Sequence, residues 1–254
     1  MFLIVGSIED RVIQHVYTLQ NDSRYELCFM SERDLFAAPF ALRMKKDRKD
    51  GYIVINEKKI GFSNIDGIIL RLPRFWWPSR EFDLQDQIFI YHETIAAWYS
   101  LLWHLDCPII NKFDLGWWLN DVNYPLLIKE KLARCLDINT VQSEPNSYVQ
   151  YDRIRPTFPA NLPNVKSVYI VGKKVIHQTE SGRRLLDSCL RENFDNLTSR
   201  LKENGIIFCR LDFECDENNE DGLKIRYVET FPLVNNEDRY ILQKINNALG
   251  DLIL

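Results

Sequence analysis

Ile206-Ile207-Phe208-Cys209-Arg210-Leu211-Asp212-Phe213, an acidic stretch over residues 214–222, and then Tyr227-Val228-Glu229-Thr230-Phe231-Pro232 decide how this chain is read. Each apolar run has the length and side chains of a buried strand, and the polar stretch between them lets the second fold back on the first. Asp212 falls late in one strand and Glu229 late in the other, so a near-symmetric register puts the two carboxylates side by side. Close carboxylates repel unless a proton or a divalent cation sits between them. The pair is a candidate metal site; the plainer reading, two acids capping strand ends on a solvated face, stays open beside it.

Working outward, residues 168–176 read as a hairpin around a Gly-Lys-Lys turn. One amphipathic helix is expected to carry Leu186, Leu190, Phe194, Leu197 and Leu201 and to stop at Asn204-Gly205. A last helix bears Ile241, Ile245, Ala248 and Leu252. Upstream, a helix over residues 126–136 precedes a polar, proline-bearing stretch over residues 139–163.

The first part alternates strand-like and helix-like segments. Residues 2–5 and 25–29 read as strands around a short helix over 12–19, followed by a hairpin of residues 52–55 and 60–62 about the turn 56–59. A buried strand over 65–70 runs into Arg71-Leu72-Pro73-Arg74. Leu84, Ile88, Tyr91, Ile95, Trp98, Leu102 and Leu105 then form one apolar stripe at helical spacing, which predicts a core-facing helix begun by Asp83. Ile109-Ile110-Asn111 reads as a short strand.

The 254 residues are 46% hydrophobic and 27% charged. A chain of this length buries roughly 70–75% of its unfolded surface, which excludes disorder, collagen and small disulfide scaffolds. Lys+Arg number 32 against 36 Asp+Glu, a net charge of -4. No general field therefore draws nucleic acid or an anionic membrane. The six cysteines lie in apolar runs without paired spacing, which fits reduced thiols in a cytoplasm. The N-terminal apolar stretch is as short as a strand and lacks a basic lead, so a signal peptide is not expected; nor does any run of ~18 apolar residues predict a membrane span.

The paired runs resemble the closing motif of ATP-grasp carboxylate–amine ligases, in which a strand Asp and a Glu-x-Asn-Pro run hold the magnesium ions that bridge the ATP phosphates. Other segments agree in order. Arg71-Leu72-Pro73-Arg74 resembles the end of the N-terminal domain in the peptide-modifying branch, which includes the graspetide and microviridin ligases and the ribosomal-protein glutamate ligases. The helix of residues 84–105 with Ile109-Ile110-Asn111 resembles the step before the grasp. Residues 132–138 and the 168–176 hairpin resemble its next two pieces. The resemblance implies an α/β fold: a pre-ATP-grasp domain over residues 1–112, then a reduced ATP-grasp-like α+β domain over residues 113–254 lacking most of the small nucleotide-covering lobe.

Departures from the family pattern matter as much. Between Ser143 and Val168 there is room for only about two dozen residues, with no Lys-Pro pair and no glycine-rich loop. Backbone cradling of a triphosphate wants glycines. The magnesium-binding Asn falls on Phe231, which offers a hard cation no oxygen. An Asp-x-Arg falls on Val165 and Ser167, removing a phosphate-neutralising arginine. These departures imply a homologue degenerate in ATP chemistry, with no cofactor, that binds a peptide or partner protein in ribosomal-peptide modification. Two alternatives remain. One is an active ligase using ATP and Mg2+ on Asp212 and Glu229, with a phosphate clamp drawn from the 144–163 segment, Arg153 and Arg155, or from another subunit; the other is a structural interaction protein. By analogy with the family a homodimer is expected.

Phe75-Trp76-Trp77-Pro78 and Gly116-Trp117-Trp118 follow strand ends and place large amphipathic rings in loops. Trp76, Trp77, Trp117 and Trp118 are candidate peptide contacts, or they staple two domains together. Arg71 and Arg74 are candidates to pair with a substrate carboxylate, or form surface salt bridges. His92-Glu93 lacks the second His of an HExxH zinc site.

Overall fold

The computed structural model describes residues 1–18, 26–45, 48–72, 82–112, 124–140, 165–190, 193–214, 223–229, 232, 234 and 239–253. The chain divides into two compact units, chiefly Met1–Leu119 with Leu233–Asp238, and Asn120–Pro232 with Arg239–Leu252. Arg74, Trp76, Trp77, Trp117, Trp118 and Phe231 lie outside the described residues, as does the stretch 141–164 with Arg153 and Arg155.

In the first unit β1 (Phe2–Gly6) leads to α1 (Arg11–Thr18), β2 (Leu27–Ser31) and α2 (Glu32–Ala37). A meander of β3 (Phe40–Lys45), β4 (Arg48–Ile55) and β5 (Lys58–Gly61) follows, then β6 (Gly67–Arg71), α3 (Leu84–His104) and β7 (Ile109–Ile110). The main sheet has the order β2-β1-β6-β7 with every pair parallel. All residues of β1 and β6 are buried, as befits parallel strands covered on both faces.

Neither α2 nor β3 was expected from the sequence. α2 is held by a capping box: Asp34 N donates to Ser31 Oγ at 3.2 Å, and Ser31 N donates to Asp34 Oδ2 at 2.9 Å. The meander's β4–β5 turn is tighter than expected, two residues long, with Asn56 and Glu57 both left-handed at φ 48° and 64°.

α3 begins at Asp83, whose carboxylate accepts from Asp86 N at 2.9 Å. Its stripe is core-facing only in the C-terminal half: Ile95, Trp98, Leu101 and Leu102 are buried, whereas Leu84 is 66% and Ile88 41% exposed. The reason is length. Its 21 residues span roughly 31 Å, against roughly 17 Å for a five-residue strand. Trp98 anchors the buried half by donating its indole N–H to Leu35 O at 2.7 Å.

The second unit runs α4 (Tyr124–Leu136), β8 (Asn139–Thr140), β9 (Val165–Val171), β10 (Lys174–His177), α5 (Glu180–Leu190), α6 (Phe194–Glu203), β11 (Phe208–Glu214), β12 (Lys224–Glu229) and α7 (Arg239–Ile253). Its sheet has the order β10-β9-β11-β12-β8, antiparallel except for β8 beside β12. One face, with Val168, Ile170, Cys209, Leu211, Phe213, Ile225 and Val228, packs on apolar residues of α4, α5 and α6.

The single helix expected through Leu186 and Leu201 is two. Asn193 N donates to Leu190 O and Asn193 O accepts from Leu197 N, both at 2.8 Å, so the chain turns there and α6 starts anew. Asn193 caps it through its backbone alone, with no side-chain hydrogen bond. α6 ends as its sequence indicates: Gly205 is left-handed at φ 73°, and the N–H groups of Gly205 and Ile206 donate back to Lys202 O and Leu201 O at 2.9 Å.

Candidate functional site

The register of the second sheet places the two acids. Arg210 lies across from Glu229, and Asp212 from Tyr227; on the other side Asp212 faces Ser167 and Arg210 faces Tyr169. Side chains alternate along a strand, so Ser167, Tyr169, Arg210, Asp212, Tyr227 and Glu229 share the face opposite the apolar core. Asp212 and Glu229 thus reach one face, two residues apart in register rather than directly opposed. The extra residue that a register shift between Asp212 and Phe213 gives β12 is what turns Glu229 to this face; without it Glu229 would lie across from Cys209, on the core side.

Both acids are buried, each 7% exposed. Asp212 is heavily engaged. Arg210 forks it with Nε 3.0 Å from Oδ1 and Nη2 3.1 Å from Oδ2, and Ser167 Oγ donates to Oδ1 at 2.7 Å. Burial is the largest influence on the Arg210 guanidinium and opposes its charge, but Asp212, Tyr169 and Glu229 outweigh it and hold its pKa above the usual value. Cys209, next to Arg210 in β11 and on the core face, has its thiol pushed up by burial first and by Glu229 second. Such a thiol is not a nucleophile.

Divalent magnesium wants several oxygen ligands in near-octahedral order. In this arrangement Asp212 Oδ2 accepts from Arg210 Nη2 and Oδ1 from Ser167 Oγ, with the Arg210 cation alongside both oxygens, and the donor set does not fit the ion. Among the described residues no group of three or more His, Cys, Asp and Glu could hold a metal.

In the first unit Arg71 is buried, 2% exposed, and its Nε donates to Asp10 Oδ2 at 2.6 Å. It stands at the C-terminal end of β6, in register with Gly6 at the end of β1. A Cβ on Gly6 would come within 2.6 Å of the Arg71 carbonyl oxygen, so only glycine lets the strands lie this close. The connections diverge to opposite sides of the sheet between β1 and β6, and α/β sheets hold ligands at the C-terminal ends of such a pair.

Arg210, Ser167 and Asp10 escaped the sequence reading. Alternation alone sets Arg210 on the face of Asp212, and Asp10 follows the end of β1, so both left a signal; Ser167 needed the β9–β11 register.

No protein family matches the chain, and no curated protein does. Solved structures do. Macrocyclase MdnC of Microcystis aeruginosa MRC, bound with precursor peptide MdnA, is similar over 99% of this chain and 100% of its own, at TM-score 0.66 and 12% identity. The RiPP-associated ATP-grasp ligase of Chryseobacterium gregarium, in complex with ADP and a leader and core peptide, matches over 99% and 96% at TM-score 0.62 and 12% identity. ATP-grasp ligase PsnB, complexed with precursor peptide PsnA2 and AMPPNP, matches over 100% and 97% at TM-score 0.63 and 11% identity. Likeness at these identities is likeness of fold, and the chain has the fold of the RiPP-associated ATP-grasp ligases.

Proposed function

We propose that this chain is an ATP-grasp scaffold altered in its ATP chemistry that binds a peptide, or a partner protein carrying one, during the modification of ribosomally made peptides. The carrying observation is the Arg210 fork on Asp212, which engages the oxygens a magnesium ion would need. The sequence supports the reading: residues 144–163 contain neither lysine nor glycine, the residue types that would contact and cradle a nucleotide's phosphates. Peptide is the favoured ligand class because MdnC, PsnB and the Chryseobacterium ligase were each solved with a precursor or a leader and core peptide. Arg71, anchored by Asp10 at a strand end suited to ligands, is the proposed contact together with Arg74, Trp76, Trp77, Trp117 and Trp118. The protein acts as a homodimer in this reading.

An active ligase is the second reading, favoured by two buried carboxylates on one face and by the PsnB structure with Mg and ADP. ATP would activate a carboxylate as an acyl phosphate for attack by an amine or hydroxyl. Thermal melts and calorimetric titration with ATP, ADP and Mg2+, and with synthetic leader peptides, separate the two, because a ligand of the native state raises stability by RT ln(1 + [L]/Kd). The altered scaffold is expected to ignore millimolar nucleotide and bind peptide saturably. A nucleotide-induced shift that vanishes in Glu229→Ala establishes the ligase instead.

A further inference from the structure

We infer that Arg210 is a resident cation in place of a divalent metal ion between Asp212 and Glu229, and that removing it uncovers a latent divalent-cation site. This rests on the altered-scaffold reading and sharpens it. Two acids buried on one sheet face need compensating charge, because burial without a partner strongly disfavours a carboxylate.

The sheet supplies that charge from within. Arg210 sits on the rung of Glu229 and forks Asp212, the neighbour two residues along its own strand. A guanidinium stays charged at every pH the protein meets, and its planar fork matches a carboxylate. Compensation by Arg210 therefore depends neither on free metal nor on nucleotide. Without Arg210 the face keeps the Asp212 and Glu229 carboxylates, the Ser167 hydroxyl and the phenols of Tyr169 and Tyr227. That is a hard oxygen set of net negative charge, the chemistry that takes Mg2+ or Mn2+.

The test uses metal alone. Wild type, Arg210→Met and Arg210→Lys are titrated with Mg2+ and Mn2+ without nucleotide, following the melting temperature and the paramagnetic signal of free Mn2+. The wild type is expected to show no shift and no Mn2+ uptake. Arg210→Met should melt below wild type in chelator and regain about 5–10 °C at a metal concentration a hundredfold above its dissociation constant. That recovery should vanish in Arg210→Met/Asp212→Asn, and Arg210→Lys, which keeps the charge, should take up no metal.

Saturable Mn2+ binding by the wild type that is lost in Asp212→Asn overturns the inference, and so does a folded Arg210→Met that binds none. If Arg210→Met does not fold, wild type and Arg210→Lys decide: a saturable site in either refutes the resident cation, and its absence from both supports it. Since no nucleotide or peptide is present, this result is separable from the test of the altered scaffold. A wild type that binds ATP only with its own magnesium would overturn that reading and leave the metal-alone result standing.

Discussion

Arg210 closes a fork on Asp212 two residues further along the same strand, with N–O distances of 3.0 and 3.1 Å, and both side chains are more than four-fifths buried. Losing one partner of a buried pair leaves the other charge uncompensated, whereas replacing both by apolar groups removes the problem together with the pair. Asp212→Ala is therefore expected to cost about 3–5 kcal/mol, and Arg210→Met/Asp212→Leu clearly less than the sum of the single changes. Denaturant unfolding of the four proteins of this cycle checks it; additive losses would show that the fork carries no coupling.

Two glycines predict opposite signs. Gly172 turns the β9–β10 hairpin at φ +61°, and a Cβ there would lie 2.8 Å from Leu252 Cδ2 on α7. Gly172→Ala is expected to destabilise by about 1–2 kcal/mol from the left-handed backbone alone, and more if Leu252 cannot move. Gly250 lies within α7 with nothing inside 4 Å of its Cβ position. Gly250→Ala should stabilise by about 0.5–1 kcal/mol. Melting temperatures of the two variants read both effects.

Much of the fold was legible in the sequence because long apolar runs and helical periodicity are written locally. β1, β6, β9, β11 and α3 all stand where their patterns put them. α2 was not legible: six residues make no period, and the helix rests on the Ser31–Asp34 box. β3 follows Pro39 and reads as a strand only once β4 is beside it. The exposed half of the α3 stripe shows that periodicity marks a face without saying what covers it. At the site, Asp212 and Glu229 could be found from their places in two strands, but their spacing depended on one extra residue in β12, which no pattern announces. Alternation alone put Arg210 on the face of Asp212, but its place across from Glu229 follows only from the register, since under a symmetric pairing its rung falls away from Glu229.

Thiol chemistry gives an independent check on the core. Cys209 is fully buried with its pKa raised by burial and then by Glu229, while Cys135 is partly exposed. Alkylation follows the exposed thiolate. Native protein treated with iodoacetamide near neutral pH should therefore carry label on Cys135 well before Cys209, and Cys209 should react only when urea opens the sheet. Early labelling of Cys209, read by peptide mass spectrometry, would contradict the packing of β11 against α4, α5 and α6.

His177 sets a pH dependence whose sign can be worked out. Its ring lies at the end of β10 with Nε2 3.6 Å from Asp187 Oδ1 and an edge-on contact to Phe194 at 6.3 Å, and Nδ1 is buried without a hydrogen-bond partner. Burial, the largest influence, lowers its pKa; Asp187 and Glu180 oppose this, Arg183 and Lys244 add to it, and the net shift is downward. The folded state thus takes up its proton at lower pH than the unfolded chain, whose histidine titrates near the usual ~6.5. As pH falls below that value the unfolded state binds the extra proton first, so stability declines with falling pH until the folded pKa is passed, and the full contribution is present only above about 6.5. Urea midpoints measured across this window should fall more steeply for wild type than for His177→Gln, which has no imidazole to protonate. Parallel curves would mean that the ring is as well solvated in the folded protein as in the unfolded chain.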